Sequence, residues 1–236
     1  MLRLESLNVY YGESHILRNV SFAVEPGQVL CLMGRNGVGK TTTLKTVMGL
    51  LPAKSGRVSF EGTDITHETP DRRVRRGIGY VPQGREIIPH LTVRENLRLG
   101  FWARPASGNH TNEQAAFEEV FALFPKLMEI LDRPGGVLSG GAQQQLAIAR
   151  TLLLQPKVLL LDEPTEGIQP SIVDQIEEVI LGLKAQRKFA ILMVEQGLHF
   201  AARVADAYVI MAKGAVVASG RAGELSAEEV RRHLVV

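Results

Sequence analysis

A glycine-rich stretch between an apolar run and a helical run constrains the fold of this chain more than any other feature. Residues 34–42 read GRNGVGKTT and match the pattern G-x-x-x-x-G-K-[ST]. The apolar run 28–33 predicts a buried strand, and residues 41–48 predict a helix that ends near Gly49. A strand, a glycine-rich loop and a helix in this order identify a phosphate-binding loop. The alternative is a glycine-rich turn with a chance lysine, which the flanking strand and helix disfavour.

The predicted loop has the chemistry of an anion site. Its glycines permit positive φ, so successive backbone N–H groups point inward beside the positive end of the following helix. Lys40 is expected to contact the β- and γ-phosphates, and the Thr41 hydroxyl to coordinate a Mg²⁺ that bridges them. Thr42 is placed to reach the α-phosphate. The predicted nucleotide-binding residues of the loop are Gly34, Asn36, Gly37, Gly39, Lys40, Thr41 and Thr42.

The composition and charge of the chain bear on its partners and on the compartment in which it works. The chain has 236 residues, enough for one large domain, and a formal net charge of +2 gives no support to a nucleic-acid partner. The cluster Arg72, Arg73, Arg75 and Arg76 is therefore interpreted as a solvated helix face or a surface that faces a protein partner. The single cysteine, Cys31, lies in the predicted buried strand and is interpreted as a small buried side chain in a reducing compartment.

The sequence shows no signal peptide and no apolar stretch of the roughly 18 to 20 residues that a membrane span needs. If the protein works at a membrane, we expect another chain to carry the spans.

Strand and helix patterns alternate along the chain. Residues 1–30 alternate apolar and polar positions, as short and partly exposed strands do. Further strand patterns occur at residues 55–62, 78–83, 158–161, 190–194 and 207–211. Helical spacing occurs at residues 91–99, 114–124, 142–154, 172–187 and 198–204, with a break at Pro105, Ser107, Gly108 and Asn109. This alternation predicts an α/β fold with a mostly parallel sheet, a helical insertion between strands, and a ligand at the carboxyl ends of the strands.

Two acidic residues follow the apolar run 158–161 and are expected at the ligand edge of the sheet. Asp162 is predicted to hold Mg²⁺, directly or through water, as in other phosphate-loop enzymes. Glu163 is predicted to orient and deprotonate the attacking water. The alternative is an exposed acidic turn after a strand, which the phosphate loop in the same chain disfavours.

A second anion site is predicted where a helix begins after Leu138. Ser139, Gly140 and Gly141 would offer a hydroxyl and free N–H groups at the positive end of that helix. Since the chain has one phosphate-loop lysine, the second site is interpreted as serving a nucleotide held by another subunit. The alternative is a plain helix cap by Ser139.

The order and spacing of these motifs resemble the ATP-binding subunit of an ABC transporter over the whole chain. The resemblance implies a phosphate-loop NTPase core with an antiparallel β subdomain, at 1–90 and 155–236, and an inserted helical subdomain at about 91–154. It implies ATP and Mg²⁺ as ligands and ATP hydrolysis as the activity. It also implies that Tyr11 stacks on adenine and that Gln83 senses Mg²⁺ and the γ-phosphate while its loop touches a membrane partner.

A narrower resemblance concerns the branched-chain amino acid uptake group, and within it most of all the urea-type subunit. The segments that carry it are residues 81–87, 162–170 and 194–196. Such importers use two different ATP-binding subunits, two membrane-spanning permease subunits and an external solute-binding protein. The resemblance implies a peripheral location on the cytoplasmic face of the inner membrane.

Three positions depart from the general family pattern. Ala142 stands where the signature has Gln, Gln169 replaces a loop aspartate, and Gln196 replaces the switch histidine. A Gln side chain can donate an N–H to a phosphate oxygen but cannot take up a proton. Two hypotheses therefore stay open: an ATPase that drives transport, and a nucleotide-gated clamp whose paired subunit performs most of the hydrolysis. A soluble ATPase of DNA repair or translation is disfavoured, since the chain has neither a long coiled coil nor a second such domain.

Overall fold

The computed structural model describes residues 1–104 and 112–224 of the chain, which form ten strands and eight α-helices. The predicted break at Pro105, Ser107, Gly108 and Asn109 lies outside the described residues. In chain order the elements are β1 (Leu2–Tyr11), β2 (Ser14–Val24), β3 (Val29–Gly34), α1 (Lys40–Met48), β4 (Ser55–Phe60), β5 (Thr63–Asp64), α2 (Pro70–Arg76), β6 (Ile78–Val81), α3 (Val93–Trp102), α4 (Glu113–Leu123), α5 (Pro125–Glu129), α6 (Gly140–Leu152), β7 (Val158–Asp162), α7 (Pro170–Gln186), β8 (Ala190–Glu195), α8 (Leu198–Val204), β9 (Ala207–Ala212) and β10 (Ala215–Arg221).

The larger sheet confirms the predicted α/β fold. Its strand order is β10-β9-β3-β8-β7-β6, and all neighbours are parallel except the β9–β10 pair. Every residue of β3, β7 and β8 is buried, which agrees with their continuous apolar runs. A smaller antiparallel sheet of order β2-β1-β4-β5 carries the alternating pattern at the start of the chain.

The larger sheet separates two hydrophobic clusters. Successive side chains of a strand point to opposite faces, so Cys31 and Met33 of β3 join one cluster while Leu30 and Leu32 join the other. The first cluster includes side chains of α3, α4, α6 and α7, and the second includes α1 and the smaller sheet. Cys31 is fully buried, as predicted, and burial raises the pKa of its thiol well above the usual range.

The helices α3 to α6 lie between β6 and β7 in the chain. A capping box begins α3, because the Thr92 hydroxyl accepts from the backbone N–H of Glu95 while the Glu95 carboxylate accepts from that of Thr92. Helix α4 begins after Asn112, whose side chain accepts from the N–H of Ala115. The division into a core, a β subdomain and a helical subdomain stays a prediction. Within the described residues, no helix is both long enough and apolar enough to cross a membrane.

One arginine of the predicted solvated cluster is buried. Arg73 is 2% exposed and donates to the backbone carbonyls of Thr46 (2.8 Å), Val47 (2.7 Å), Thr66 (2.8 Å) and Glu68 (3.0 Å). The interpretation of this residue as part of a solvated face was wrong. Two of these carbonyls lie in the last turn of α1, where a cation also complements the helix dipole. Arg73 therefore anchors the helix that follows the phosphate loop.

We expect Arg73→Met to lower the free energy of unfolding by at least about 3 kcal/mol, because four carbonyls lose a charged donor and, among the described residues, only that of Thr46 keeps another, the N–H of Gly49. The exposed neighbour Arg72 on the same helix provides the control, and Arg72→Met should change stability by less than about 0.5 kcal/mol. Urea unfolding followed by circular dichroism measures both variants. Equal stabilities of the two variants would contradict the anchoring role.

Candidate functional site

The strand register brings the predicted site residues to one edge of the larger sheet. Met33 of β3 pairs with Glu195 of β8, and Val194 of β8 pairs with Asp162 of β7. The next strand, β6, ends at Val81, opposite Leu161. The loops that follow these four strands carry the phosphate loop, Gln83, Glu163 and Gln196. The loops therefore meet at the carboxyl ends of the parallel strands, where ligands of such sheets bind.

The glycines of the phosphate loop are required by the path of its backbone. Gly34, Gly37 and Gly39 have φ values of 155°, 79° and 107°. A Cβ atom at Gly34 would lie 2.6 Å from the carbonyl oxygen of Met211, and one at Gly39 would lie 2.6 Å from Leu17 Cδ2. Side chains at Gly34 and Gly39 would both strain the backbone and collide with neighbours, whereas one at Gly37 would strain the backbone alone.

Lys40 begins α1 and lies beneath the loop. The side chain is 4% exposed, and its Nζ donates to the carbonyl oxygens of Gly34 (2.9 Å) and Arg35 (3.2 Å). The same Nζ lies 3.3 Å from Glu163 Oε1. The predicted phosphate-binding cation and the predicted general base thus form a buried ion pair.

Asp162 is held between two hydroxyl groups. Thr41 Oγ1 donates to its Oδ1 at 3.0 Å, and the Tyr80 hydroxyl donates to its Oδ2 at 3.2 Å. Burial raises the pKa of Asp162, while both hydrogen bonds oppose that shift. Burial and the neighbouring Asp162 charge raise the pKa of Tyr80, so this hydroxyl remains a donor. A carboxylate and a threonine hydroxyl in contact at the sheet edge form an oxygen donor set of the type that Mg²⁺ accepts.

Glu163 has an unusual backbone conformation. Its φ is 48°, in the left-handed region, and its backbone N–H donates to the Val194 carbonyl at 3.0 Å. Gln196 Nε2 donates to Glu163 Oε1 at 2.9 Å, and Gln83 Nε2 lies 3.4 Å from Oε2. Glu163 is 9% exposed. Its carboxylate faces donors from three segments, namely Lys40 at the phosphate loop, Gln83 after β6 and Gln196 after β8.

Two further contacts connect these loops. Gln196 Nε2 also donates to Asn36 Oδ1 of the phosphate loop at 2.6 Å. Gln83 Nε2 donates to Glu166 Oε2 at 2.7 Å. The amide side chains of Gln83 and Gln196 therefore approach Glu163 from two sides, because their strands β6 and β8 flank β7.

A cavity of about 410 Å³ lies over the phosphate loop. Tyr11, at the end of β1, is 47% exposed and contributes a ring to one wall. The ring of Tyr10 stacks on His15 of β2 at a centroid distance of 4.2 Å, and Tyr10 is not among the described residues that line the cavity. The residues that line the cavity are Tyr11, Ile16, Asn36, Gly37, Gly39, Lys40, Thr41, Thr42, Gln83 and Glu163.

The predicted second anion site lies apart from this cavity. Ser139 caps α6, and its Oγ accepts from the N–H of Ala142 at 3.3 Å. A Cβ atom at Gly140 would lie 3.0 Å from Arg85 Nη1, and one at Gly141 would lie 2.9 Å from Ile172 Cγ1. Among the described residues that line the cavity, none belongs to 139–141.

Sequence reasoning missed several side chains around the site, among them two that bond predicted site residues and one, Arg85, that lies beside Gly140. Tyr80 donates to Asp162, Glu166 accepts from Gln83, and Arg85 Nη1 lies 3.4 Å from Gln143 Oε1 on α6. Tyr80 lies one position before the end of β6, the strand whose tip was already assigned to the site, and that position was the available signal. The contacts of Glu166 and Arg85 depend on loop conformations, for which the sequence offers no local pattern.

Comparison with known proteins gives consistent results. The sequence model of a family described as ABC transporter matches residues 17–166. The high-affinity branched-chain amino acid transport ATP-binding protein BraG of Pseudomonas aeruginosa is 37% identical over 92% of this chain and 91% of its own length. The probable branched-chain amino acid transport ATP-binding protein LivF of Archaeoglobus fulgidus is 36% identical over 97% of this chain and 95% of its own length.

Solved structures agree with this result. A nucleotide-free ATP-binding cassette from an ABC transporter is 31% identical, covers 99% of this chain and 94% of its own, and superimposes with a TM-score of 0.82. The ADP conformation of an ATP-binding cassette of an ABC transporter is 32% identical, with 98% and 93% coverage and a TM-score of 0.80. The predicted family resemblance is confirmed: this chain belongs to the ABC transporter family, as one of its ATP-binding subunits.

Proposed function

We propose that this chain binds and hydrolyses ATP in a Mg²⁺-dependent reaction that energises an importer for a small polar solute. The observation that carries the proposal is the convergence of Lys40, Asp162 and Glu163 at one edge of the larger sheet, where Lys40 and Glu163 line the cavity. Lys40 Nζ lies 3.3 Å from Glu163 Oε1, and Asp162 is bonded to the Thr41 hydroxyl at the start of the same helix. A cation, a metal-binding carboxylate and a base in such proximity meet the requirements of phosphoryl transfer to water.

The residues around the cavity have distinct proposed roles. Tyr11 stacks on the adenine ring, and the N–H groups of the phosphate loop bind the phosphates together with Lys40. Thr41, Asp162 and Gln83 would hold Mg²⁺, which when bound neutralises charge on the phosphates. Glu163 orients the attacking water and accepts its proton.

The ion pair between Lys40 and Glu163 suggests an order of events. A γ-phosphate carries more negative charge than one carboxylate and therefore competes with Glu163 for Lys40. Glu163 is then released toward the attacking water, with Gln196 and Gln83 still within reach of its carboxylate oxygens. Gln196 donates an N–H to a phosphate oxygen and takes up no proton.

The proposed working unit contains other chains. Ser139, Gly140 and Gly141 would contact the nucleotide of a second ATP-binding subunit, since they lie apart from the cavity of their own chain. Ala142 and Gln169 depart from the family pattern and support a second subunit that is not identical to this one. Gln169 is exposed at the beginning of α7 and makes no capping hydrogen bond there.

The remaining proposed partners are two membrane-spanning permeases and an external solute-binding protein. Through its permeases the chain would attach to the cytoplasmic face of the inner membrane. The names of BraG and LivF favour branched-chain amino acids as the solute, with urea as the second candidate.

We also propose the division into a core with a β subdomain and a helical subdomain at about 91–154.

Reconstitution of the chain with its permeases, second ATP-binding subunit and binding protein in proteoliposomes tests this proposal. We expect ATP hydrolysis that stops in EDTA, returns with Mg²⁺, and rises severalfold when leucine is supplied with the binding protein. Urea is supplied in a parallel reaction. Stimulation by urea alone would change the solute, and Mg²⁺-dependent hydrolysis that responds to neither solute would contradict both assignments. Hydrolysis only at the second subunit's site would favour the nucleotide-gated clamp.

A further inference from the structure

A buried carboxylate lies at the carboxyl end of β8, next to the site but outside the set of predicted site residues. Glu195 is 4% exposed and pairs with Met33 at the end of β3. No ion pair within residues 1–104 and 112–224 includes it. A carboxylate that is buried without a cation must be satisfied by hydrogen-bond donors.

The two oxygen atoms of Glu195 accept from two different loops. Oε1 accepts from the hydroxyl of Thr165 and from its backbone N–H at 3.3 Å. Oε2 accepts from the backbone N–H groups of Gln196 at 3.0 Å and Gly197 at 3.2 Å. Among the described residues, four donors and no acceptor bond the side chain, an arrangement that suits an ionised carboxylate.

The two loops bonded by Glu195 carry the reacting groups. Thr165 lies two residues after Glu163 and one before Glu166, in the loop that follows β7. Gln196 begins the loop after β8, and its amide bonds Glu163 at 2.9 Å and Asn36 at 2.6 Å. The separation between the Gln196 amide and the Glu163 carboxylate thus depends on how the two loops are fixed to each other.

We propose that Glu195 is a positioning residue for hydrolysis, which locks the loop of Glu163 to the loop of Gln196. The inference rests on the proposed ATPase function. Glu195 does not line the cavity, so it acts through the two loops rather than on the nucleotide. A misplacement of a reacting group by about 1 Å can cost about a hundredfold in rate.

The isosteric variant Glu195→Gln tests the inference, since it keeps the side-chain volume but places an NH₂ group against N–H donors. We expect kcat to fall about tenfold to a hundredfold, while the dissociation constant for ATP stays within about twofold. Amide hydrogen exchange in the nucleotide-free chain should accelerate at Thr165 and Gly197. Glu195→Asp keeps the charge and should recover part of kcat.

Glu177→Gln is the matched control. Glu177 is also 4% exposed, lies on α7 away from the cavity, and pairs with Arg203 at 2.8 Å. The Glu177→Gln variant should have an unchanged kcat even if its stability falls. An unchanged kcat in Glu195→Gln, or a loss that follows stability in both variants, would overturn the inference.

The same experiment separates this inference from the proposed function. A wild-type assembly that fails to hydrolyse ATP would refute the proposed function. Amide hydrogen exchange would then test independently whether Glu195 holds the two loops together, because the exchange is measured without nucleotide. Faster exchange at Thr165 and Gly197 in Glu195→Gln would support the lock, and unchanged exchange would overturn it.

Discussion

Lys40→Ala should weaken ATP binding by about a hundredfold or more while the chain stays folded. The side chain is 4% exposed and is the cation that meets the buried carboxylate of Glu163. In the proposed complex Lys40 pairs with the phosphates instead, and truncation of one partner of such a buried charge pair costs about 2–5 kcal/mol, where each 1.4 kcal/mol is tenfold in affinity. Its hydrogen bonds go to loop carbonyls rather than to the core, so circular dichroism should show native helix content.

Titration with a fluorescent ATP analogue measures the loss of affinity. Lys54→Ala serves as the control, because Lys54 is exposed and lies outside the cavity-lining residues. The control should bind like the wild type. A Lys40→Ala variant with normal affinity would refute the assignment of residues 34–42 as the phosphate site.

Glu163→Gln should lower the rate of hydrolysis by about 10²–10⁴ with nucleotide binding retained, because an amide cannot accept the proton of water. The substitution also removes the negative partner of Lys40. A nucleotide then competes with no carboxylate for that cation, so affinity should stay equal or increase. Single-turnover hydrolysis in the assembly, with this chain alone altered, separates chemistry from binding.

The outcome distinguishes the two functional hypotheses. Glu177→Gln, which changes another buried glutamate outside the cavity, should leave the single-turnover rate unchanged. A Glu163→Gln assembly that hydrolyses ATP at nearly the normal rate would show that the paired subunit performs the chemistry. This chain would then act as the nucleotide-gated clamp.

The central strands were predictable because their short, continuous apolar sequences are typical of buried parallel strands. Continuous apolar runs at β3, β7 and β8 gave strands with every residue buried, and the glycine-rich stretch gave the loop after β3. Since parallel strands end at one edge, the meeting of Lys40 with the loop after Asp162 also followed from sequence order. The exposed strand β10, whose burial pattern alternates only weakly, had no comparable signal.

Other features depend on contacts between distant segments and were therefore not predictable. Arg73 looks like its exposed neighbours in sequence, yet it fills a gap among carbonyls contributed by α1 and by residues 66–68. Tyr80 meets Asp162, and Glu195 meets Thr165, only when neighbouring strands are in register. A pattern within a single segment carries no information on such partners.

The left-handed backbone at Glu163 places two selective pressures in conflict at one position. A residue other than glycine with φ near 48° costs about 1–2 kcal/mol. Gly or Asn at this position would relieve that backbone cost, but it would leave Lys40 buried without its carboxylate, which costs about 3–5 kcal/mol, and it would remove the proposed base. Attempts to stabilise the protein should therefore leave Glu163 unchanged and substitute other positions.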